Sequence, residues 1–151
     1  MTARKAVTDF LAQRKLALVG MSRSGKKFGN IVYKELSAKG YEVFPVHRDA
    51  QAIGGQRCWP DLRSLPERVG GVITVVSPAQ TEKVVEEAHD AGIARVWMQR
   101  GSESPKAVRY CEENGMTLVQ GECILMYAEP AAFFHRAHRW VWGLLGKLPR
   151  E

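Results

Sequence analysis

Three glycines and three cations are interleaved directly after a short apolar run in residues 16–30, LALVGMSRSGKKFGN. Residues 16–19 are too few for a helix but enough for a buried strand, and a helical pattern begins at Phe28. A glycine-rich turn between a strand and a helix can hold an anion, because glycine lets the backbone approach a phosphate and a helix N-terminus favours negative charge. Arg23, Lys26 and Lys27 add positive charge. The stretch predicts the phosphate cradle of a nucleotide-like ligand; the alternative is a tight turn that binds nothing.

The glycine spacing alone does not choose the nucleotide. Gly20 to Lys26 match the first seven positions of the P-loop G-x-x-x-x-G-K, but Lys27 stands where a Ser or Thr hydroxyl should ligate Mg²⁺. The dinucleotide fingerprint G-x-G-x-x-G has Ser22 in place of its second glycine. We therefore expect neither an NTPase nor a bound metal.

The length, composition and charge of the chain indicate a globular protein with an anionic ligand. The chain has 151 residues, 45% hydrophobic and 25% charged, as expected of one globular domain. Its net charge of +6 fits an anionic ligand, and the scatter of basic residues along the chain argues against nucleic acid. No apolar run approaches a membrane span or a signal peptide, so we expect a cytoplasmic protein. Three widely separated cysteines predict buried thiols rather than disulfides or a metal site.

Strands and helices alternate along the chain, and Gly40, Gly92 and Gly115 each end a helix just before a strand. This alternation predicts an α/β fold with a five-stranded, mainly parallel sheet between two layers of helices. The predicted strands are residues 16–19, 42–46, 71–76, 94–98 and 117–120, and the main helices are residues 2–14, 28–39, 79–91 and 105–113. The first helix is expected to be a lid or an edge helix.

The single predicted domain spans residues 1–151, with a core of about residues 14–128 and a C-terminal helix in residues 129–151. Phe133, Ala137, Trp140 and Leu144 form one stripe of that helix, with cations beside it. We expect the stripe to pack on its own domain or across a homodimer. Contact with a membrane surface is the alternative.

Ligands of parallel α/β sheets bind outside the carboxyl ends of the strands, at the switch point. Four segments are expected to meet there: residues 20–30, His47-Arg48, Ser77-Pro78 and residues 99–101. The site is thus predicted to combine the glycine turn with the ends of three further strands.

Five short stretches resemble the small bacterial CoA-binding domain proteins, whose Rossmann-like fold is similar to the CoA-binding domain of succinyl-CoA synthetase. They are VGMS at residues 19–22, GYEVFPV at 40–46, VVSP at 75–78, VWMQRG at 96–101 and GECI at 121–124. The resemblance implies that CoA binds with its pyrophosphate on Gly20, Met21 and Ser22. The family usually has Asn-Pro after the second strand, where this chain has His47-Arg48.

The resemblance also implies a basic contact near Arg48 and a ligand loop at residues 98–100. It supports binding and gives no support to ligase chemistry, so no catalytic residue is assigned. The candidate ligand-binding residues are Gly20, Met21, Ser22, Arg23, Lys26, Phe28, Gly29, Asn30, His47, Arg48, Val76, Ser77, Pro78, Met98, Gln99 and Arg100.

The predicted function is therefore binding of CoA or acyl-CoA. One alternative is an NAD(P)-dependent oxidoreductase, which would favour an acidic residue after the second strand; Asp49 lies one or two positions late. The other is a nucleotide-sensing interaction module that recruits a partner through its C-terminal helix.

Overall fold

The computed structural model describes residues 3–128. The predicted C-terminal helix, residues 129–151, lies outside this part of the chain. The elements, in chain order, are α1 (Ala3–Leu11), β1 (Lys15–Val19), α2 (Phe28–Ala38), β2 (Glu42–Val46), β3 (Ala52–Ile53), β4 (Gln56–Arg57), β5 (Gly71–Thr74), α3 (Pro78–Asp90), β6 (Arg95–Gln99), α4 (Pro105–Glu113), β7 (Thr117–Glu122) and a 3₁₀ turn (Ile124–Met126).

Five strands form one parallel sheet in the order β2-β1-β5-β6-β7, which confirms the predicted architecture. β1 lies between β2 and β5, so the chain first moves to one side of β1 and then crosses to the other. This is one of the two common orders of doubly wound sheets, and it places the switch point between β1 and β5. Pro45 lies in β2, an edge strand, where a missing N–H donor is tolerated.

Helices cover both faces of the sheet, as right-handed crossovers require. Helices α1 and α2 pack with the 3₁₀ turn on one face, where Phe10 meets the buried Trp97 edge to face at 5.4 Å between ring centroids. Helices α3 and α4 cover the other face through residues such as Val85 and Cys111. Among the helices of residues 3–128, none combines the length and apolar character of a membrane span.

Helix α1 contributes to the core and packs at the β6–β7 edge of the sheet, which agrees with the expectation of an edge helix rather than a lid. Ala6, Val7 and Phe10 are buried, and the helix contacts β6 and β7. Asp9 also accepts a hydrogen bond from Arg95 Nε at 2.7 Å. The apolar spacing alone did not distinguish a helix that can open from one that completes the core.

Two helix starts follow the sequence closely. Ser77 caps α3 with a capping box to Gln80, and Ser104 caps α4 by accepting from the Ala107 N–H. Each cap is followed by a proline at the first helical position. β5 ends at Thr74, two residues before the prediction, because residues 75 and 76 already lead into the α3 cap.

Candidate nucleotide-binding site

The turn after β1 is built on the close approach of two glycines. Gly20 has a φ of 137°, in the region that favours glycine, and a Cβ there would overlap the carbonyl oxygen of Val75. A Cβ on Gly29, in the first turn of α2, would overlap the carbonyl oxygen of Gly20. The end of β1 therefore packs closely against the end of β5 and the start of α2 without any intervening side chain.

Asn30 fixes the shape of this turn. Its Oδ1 accepts from the Ser22 N–H at 3.0 Å, and its Nδ2 donates to the Ser22 carbonyl oxygen at 3.0 Å. Two hydroxyls continue the network, since Ser24 N–H donates to Ser22 Oγ and Lys26 N–H donates to Ser24 Oγ, both at 3.2 Å. The Ser22 amide is thus engaged by Asn30, and the turn is ordered by its own contacts.

A cleft of about 380 Å³ opens at the carboxyl ends of β1 and β5, the predicted switch point. It adjoins a second cavity of about 440 Å³ at the start of α2. The two share Gly20, Met21, Val76 and Gln80 and so form one groove. The remaining lining residues are Val19, Val46, His47, Arg48, Asp49, Pro60, Lys83, Val84 and Glu87 in the first part, and Ser22, Lys27, Phe28, Gly29, Val75 and Ser77 in the second.

The groove carries both signs of charge, with the cations free of carboxylate partners. Arg48, Lys83 and Lys27 line it, and none of the three forms an ion pair within residues 3–128. The Glu87 carboxylate accepts a hydrogen bond from the Leu62 N–H. The start of helix α2, residues 27–29, lines the groove, so the positive end of the helix dipole lies at the cavity. No side chain caps this first turn.

His47 turns inward to support the loop after β2. Its Nδ1 accepts from the backbone N–H groups of Asp49 at 3.1 Å and Ala50 at 2.9 Å. The bonds hold the loop in the conformation that brings Arg48 to the rim of the groove.

A family model described as "CoA binding domain" matches residues 14–129. The chain belongs to the CoA binding domain family. This assignment covers the sheet, the groove and every candidate ligand-binding residue of the sequence analysis.

Relatives of this CoA binding domain extend across bacteria and archaea. The structure of a conserved hypothetical protein from Pyrococcus furiosus is 40% identical, with a TM-score of 0.71, over 74% of this chain and 97% of that one. The uncharacterized protein YneT of Bacillus subtilis is 24% identical over 74% of this chain and 82% of its own. The ADP-forming acetate–CoA ligase I of Archaeoglobus fulgidus is 27% identical over 74% of this chain, which spans only 18% of the ligase.

Several predicted site residues of the CoA binding domain line the groove. They are Gly20, Met21, Ser22, Phe28, Gly29, His47, Arg48, Val76 and Ser77. Arg23 and Lys26 are exposed on the turn beside it, whereas Asn30 and Pro78 shape the starts of the flanking helices. For all of them, contact with a ligand stays a prediction.

The end of β6 has a different environment. Met98 is fully buried, Gln99 Oε1 accepts from the Ile124 N–H at 3.1 Å, and Arg100 Nε donates to the Gly121 carbonyl oxygen at 3.3 Å. None of the three lines the groove at the β1–β5 switch point. Gln99 holds the segment after β7 against the sheet, and Arg100 contacts β7 itself. For all three, contact with a ligand also stays a prediction.

One face of helix α3 completes the groove and was not among the predicted site residues. Gln80, Lys83, Val84 and Glu87 of α3 line it, one turn apart along one side of the helix. Their i, i+3, i+4, i+7 spacing could have been read from the sequence. This spacing would have added Lys83 to the predicted cations of the site. Within residues 3–128, no group of three or more His, Cys, Asp or Glu side chains is placed to hold a metal ion.

Proposed function

We propose that this chain binds CoA or an acyl-CoA in the groove, with the pyrophosphate on the glycine turn. The observation that carries the proposal is the packing of Gly29 on Gly20, in a chain of the CoA binding domain family. A backbone without side chains lies at the mouth of a groove next to an uncapped helix start. Such an arrangement suits a pyrophosphate, which needs close N–H donors and positive potential.

The size and charge of the groove support a nucleotide that carries several phosphates. Its two parts, about 380 and 440 Å³, lie within the usual range for ligand sites. Lys27 lies at the turn and Lys83 lies on α3, so cations flank the glycine turn on two sides. The chain's net charge of +6 has the same sign. CoA would be held with its adenosine towards β2 and its pantetheine arm leaving past α2.

Arg48 is proposed to contact the 3′-phosphate that distinguishes CoA from NAD. It lies just beyond β2 and is exposed, and within residues 3–128 it forms no ion pair, not even with Asp49. A guanidinium suits a phosphate through charge-assisted bonds, whereas a carboxylate suits the free ribose hydroxyls of NAD. Because Asp49 also lines the cleft, NAD(P) binding is the second candidate.

The proposed function is binding, without a catalytic step. The ligase named for the Archaeoglobus relative is not carried over, because this chain corresponds to 18% of that protein. A role as a nucleotide sensor would use the same groove and would differ only in a partner that responds to the bound ligand.

Two measurements test the proposal. Mass spectrometry of small molecules released from the purified protein should detect CoA or an acyl-CoA. Calorimetry should then give at least tenfold tighter binding of CoA than of dephospho-CoA, since a charge-assisted bond contributes roughly 1.5–3 kcal/mol. Arg48→Ala should remove most of this difference. NADP, which carries a 2′-phosphate, is the control ligand, and tighter binding of NAD(H) than of CoA would contradict the proposal.

A further inference from the structure

The β3–β4 hairpin after β2 is firmly seated on the domain. Ile53 and Cys58 are buried in the core on the α1–α2 face. The next residue, Trp59, packs on the other face, against Phe44 at 5.5 Å between ring centroids. The His47 N–H donates to the Trp59 carbonyl oxygen at 2.9 Å, which ties the hairpin to the end of β2. The backbone of this hairpin is therefore anchored beside the groove.

A cavity of about 730 Å³ lies between the hairpin and the loop after β2. It shares Arg48, Asp49 and Pro60 with the first part of the groove, so the groove continues past Arg48 to the hairpin. Arg57 of β4 lines this extension. Two arginines and one aspartate therefore line the same cavity.

Arg57 contacts an aromatic ring, and its positive charge has no carboxylate partner within residues 3–128. Its guanidinium carbon lies 5.2 Å from the centroid of the Trp59 ring, within the range of a cation–π contact. Like Arg48, it forms no ion pair with any residue in the range 3–128. With two arginines and one aspartate in its lining, the extension carries a net positive charge and therefore favours an anionic group.

We propose that Arg57 is a second ligand for the 3′-phosphate of CoA and acts together with Arg48; this inference rests on the proposed function. A phosphomonoester carries about −1.5 to −2 charges at pH 7 and has three terminal oxygens, enough to accept bonds from two guanidinium groups. The hairpin thereby becomes the specificity element of the site. It selects nucleotides with a phosphomonoester on the ribose over nucleotides with free hydroxyls.

The test is the ratio of dephospho-CoA to CoA dissociation constants, measured by calorimetry for each variant. Because both guanidinium groups act on one phosphate, Arg57→Ala, like Arg48→Ala, should lower the ratio several-fold, while the affinity for dephospho-CoA stays unchanged. Arg57→Lys should give an intermediate ratio, because it keeps the charge but loses the planar fork. The double variant with Arg48→Ala should bring the ratio close to one.

Arg68→Ala is the matched control, because Arg68 is an exposed arginine that lines a cavity before the amino end of β5, whereas the groove lies at the carboxyl ends of the strands. Its ratio should equal that of the unmutated protein. A folded Arg57→Ala variant that keeps the full ratio would overturn the inference while leaving the proposed function standing. Failure of the unmutated protein to bind CoA would overturn both.

Discussion

Replacing Asn30 by Ala should loosen the glycine turn after β1 while leaving its backbone N–H groups unchanged. The Asn30 amide makes two 3.0 Å hydrogen bonds to the backbone of Ser22, and each contributes about 1 kcal/mol. The variant should therefore lose roughly 2 kcal/mol of unfolding free energy. For a chain of this length, that corresponds to a fall in Tm of about 4–8 °C.

The free energy of the two Asn30 hydrogen bonds also sets the largest loss of CoA affinity to expect in this variant. Without the Asn30 bonds, the free turn samples other conformations and must be ordered when CoA binds. The cost of ordering cannot exceed the roughly 2 kcal/mol that the two bonds supplied, so CoA affinity should fall by about 5- to 30-fold. Differential scanning calorimetry measures the first quantity and isothermal titration with CoA measures the second.

Asn114→Ala is the matched control for this substitution. The Asn114 side chain donates to the Tyr110 carbonyl oxygen at 2.8 Å at the end of α4, and Asn114 does not line the groove. It should lower the Tm by a smaller amount, since one exposed bond is lost, and leave CoA affinity unchanged. If Asn30→Ala lowered the Tm as expected but bound CoA as tightly as the unmutated protein, the reasoning about a preordered turn would be refuted.

Three further predictions test the packing. Gly20→Ala should lower the free energy of unfolding by more than about 3 kcal/mol, because a positive φ combines with overlap of the new Cβ with the Val75 backbone. Gly25→Ala should lower it by only about 1–2 kcal/mol, because its Cβ would meet open space. Equal losses in urea unfolding would contradict this prediction. Thr81→Val should lower the free energy of unfolding by about 1–3 kcal/mol, because the buried Thr81 hydroxyl bonds to the Ser77 carbonyl oxygen and the Ser102 hydroxyl. An unchanged midpoint in urea unfolding would contradict this prediction. Burial raises the pKa of the Cys111 thiol to about 11, so iodoacetamide at pH 8 should label the partly exposed Cys123 first, and mass spectrometry that found equal rates would contradict the burial.

Most of the fold could be predicted because local chemistry and global topology agree. Gly40, Gly92 and Gly115 all adopt positive φ at helix ends, and the strands that follow them occur where the apolar runs predict. Ser77 and Ser104 mark helix starts through side-chain bonds that depend on only three residues of sequence. Features with such short-range causes are encoded within a few neighbouring residues.

The details of the site depend on longer distances and were harder to predict. The order of the strands sets which carboxyl ends border the switch point, and it places the end of β6 one strand away, next to β7. The bond between Asn30 and Ser22 requires the close approach of Gly29 to Gly20, which spacing alone does not reveal. The placement of Arg57 near Arg48 requires a hairpin anchored on both faces of the sheet.

A crystal structure of the protein with CoA tests the central claim most directly. The account predicts the pyrophosphate on the Gly20–Met21 backbone at the start of α2, the adenosine towards β2, and the 3′-phosphate between the loop after β2 and the hairpin. Electron density for CoA at another edge of the sheet, or with its pyrophosphate away from the glycine turn, would contradict the account.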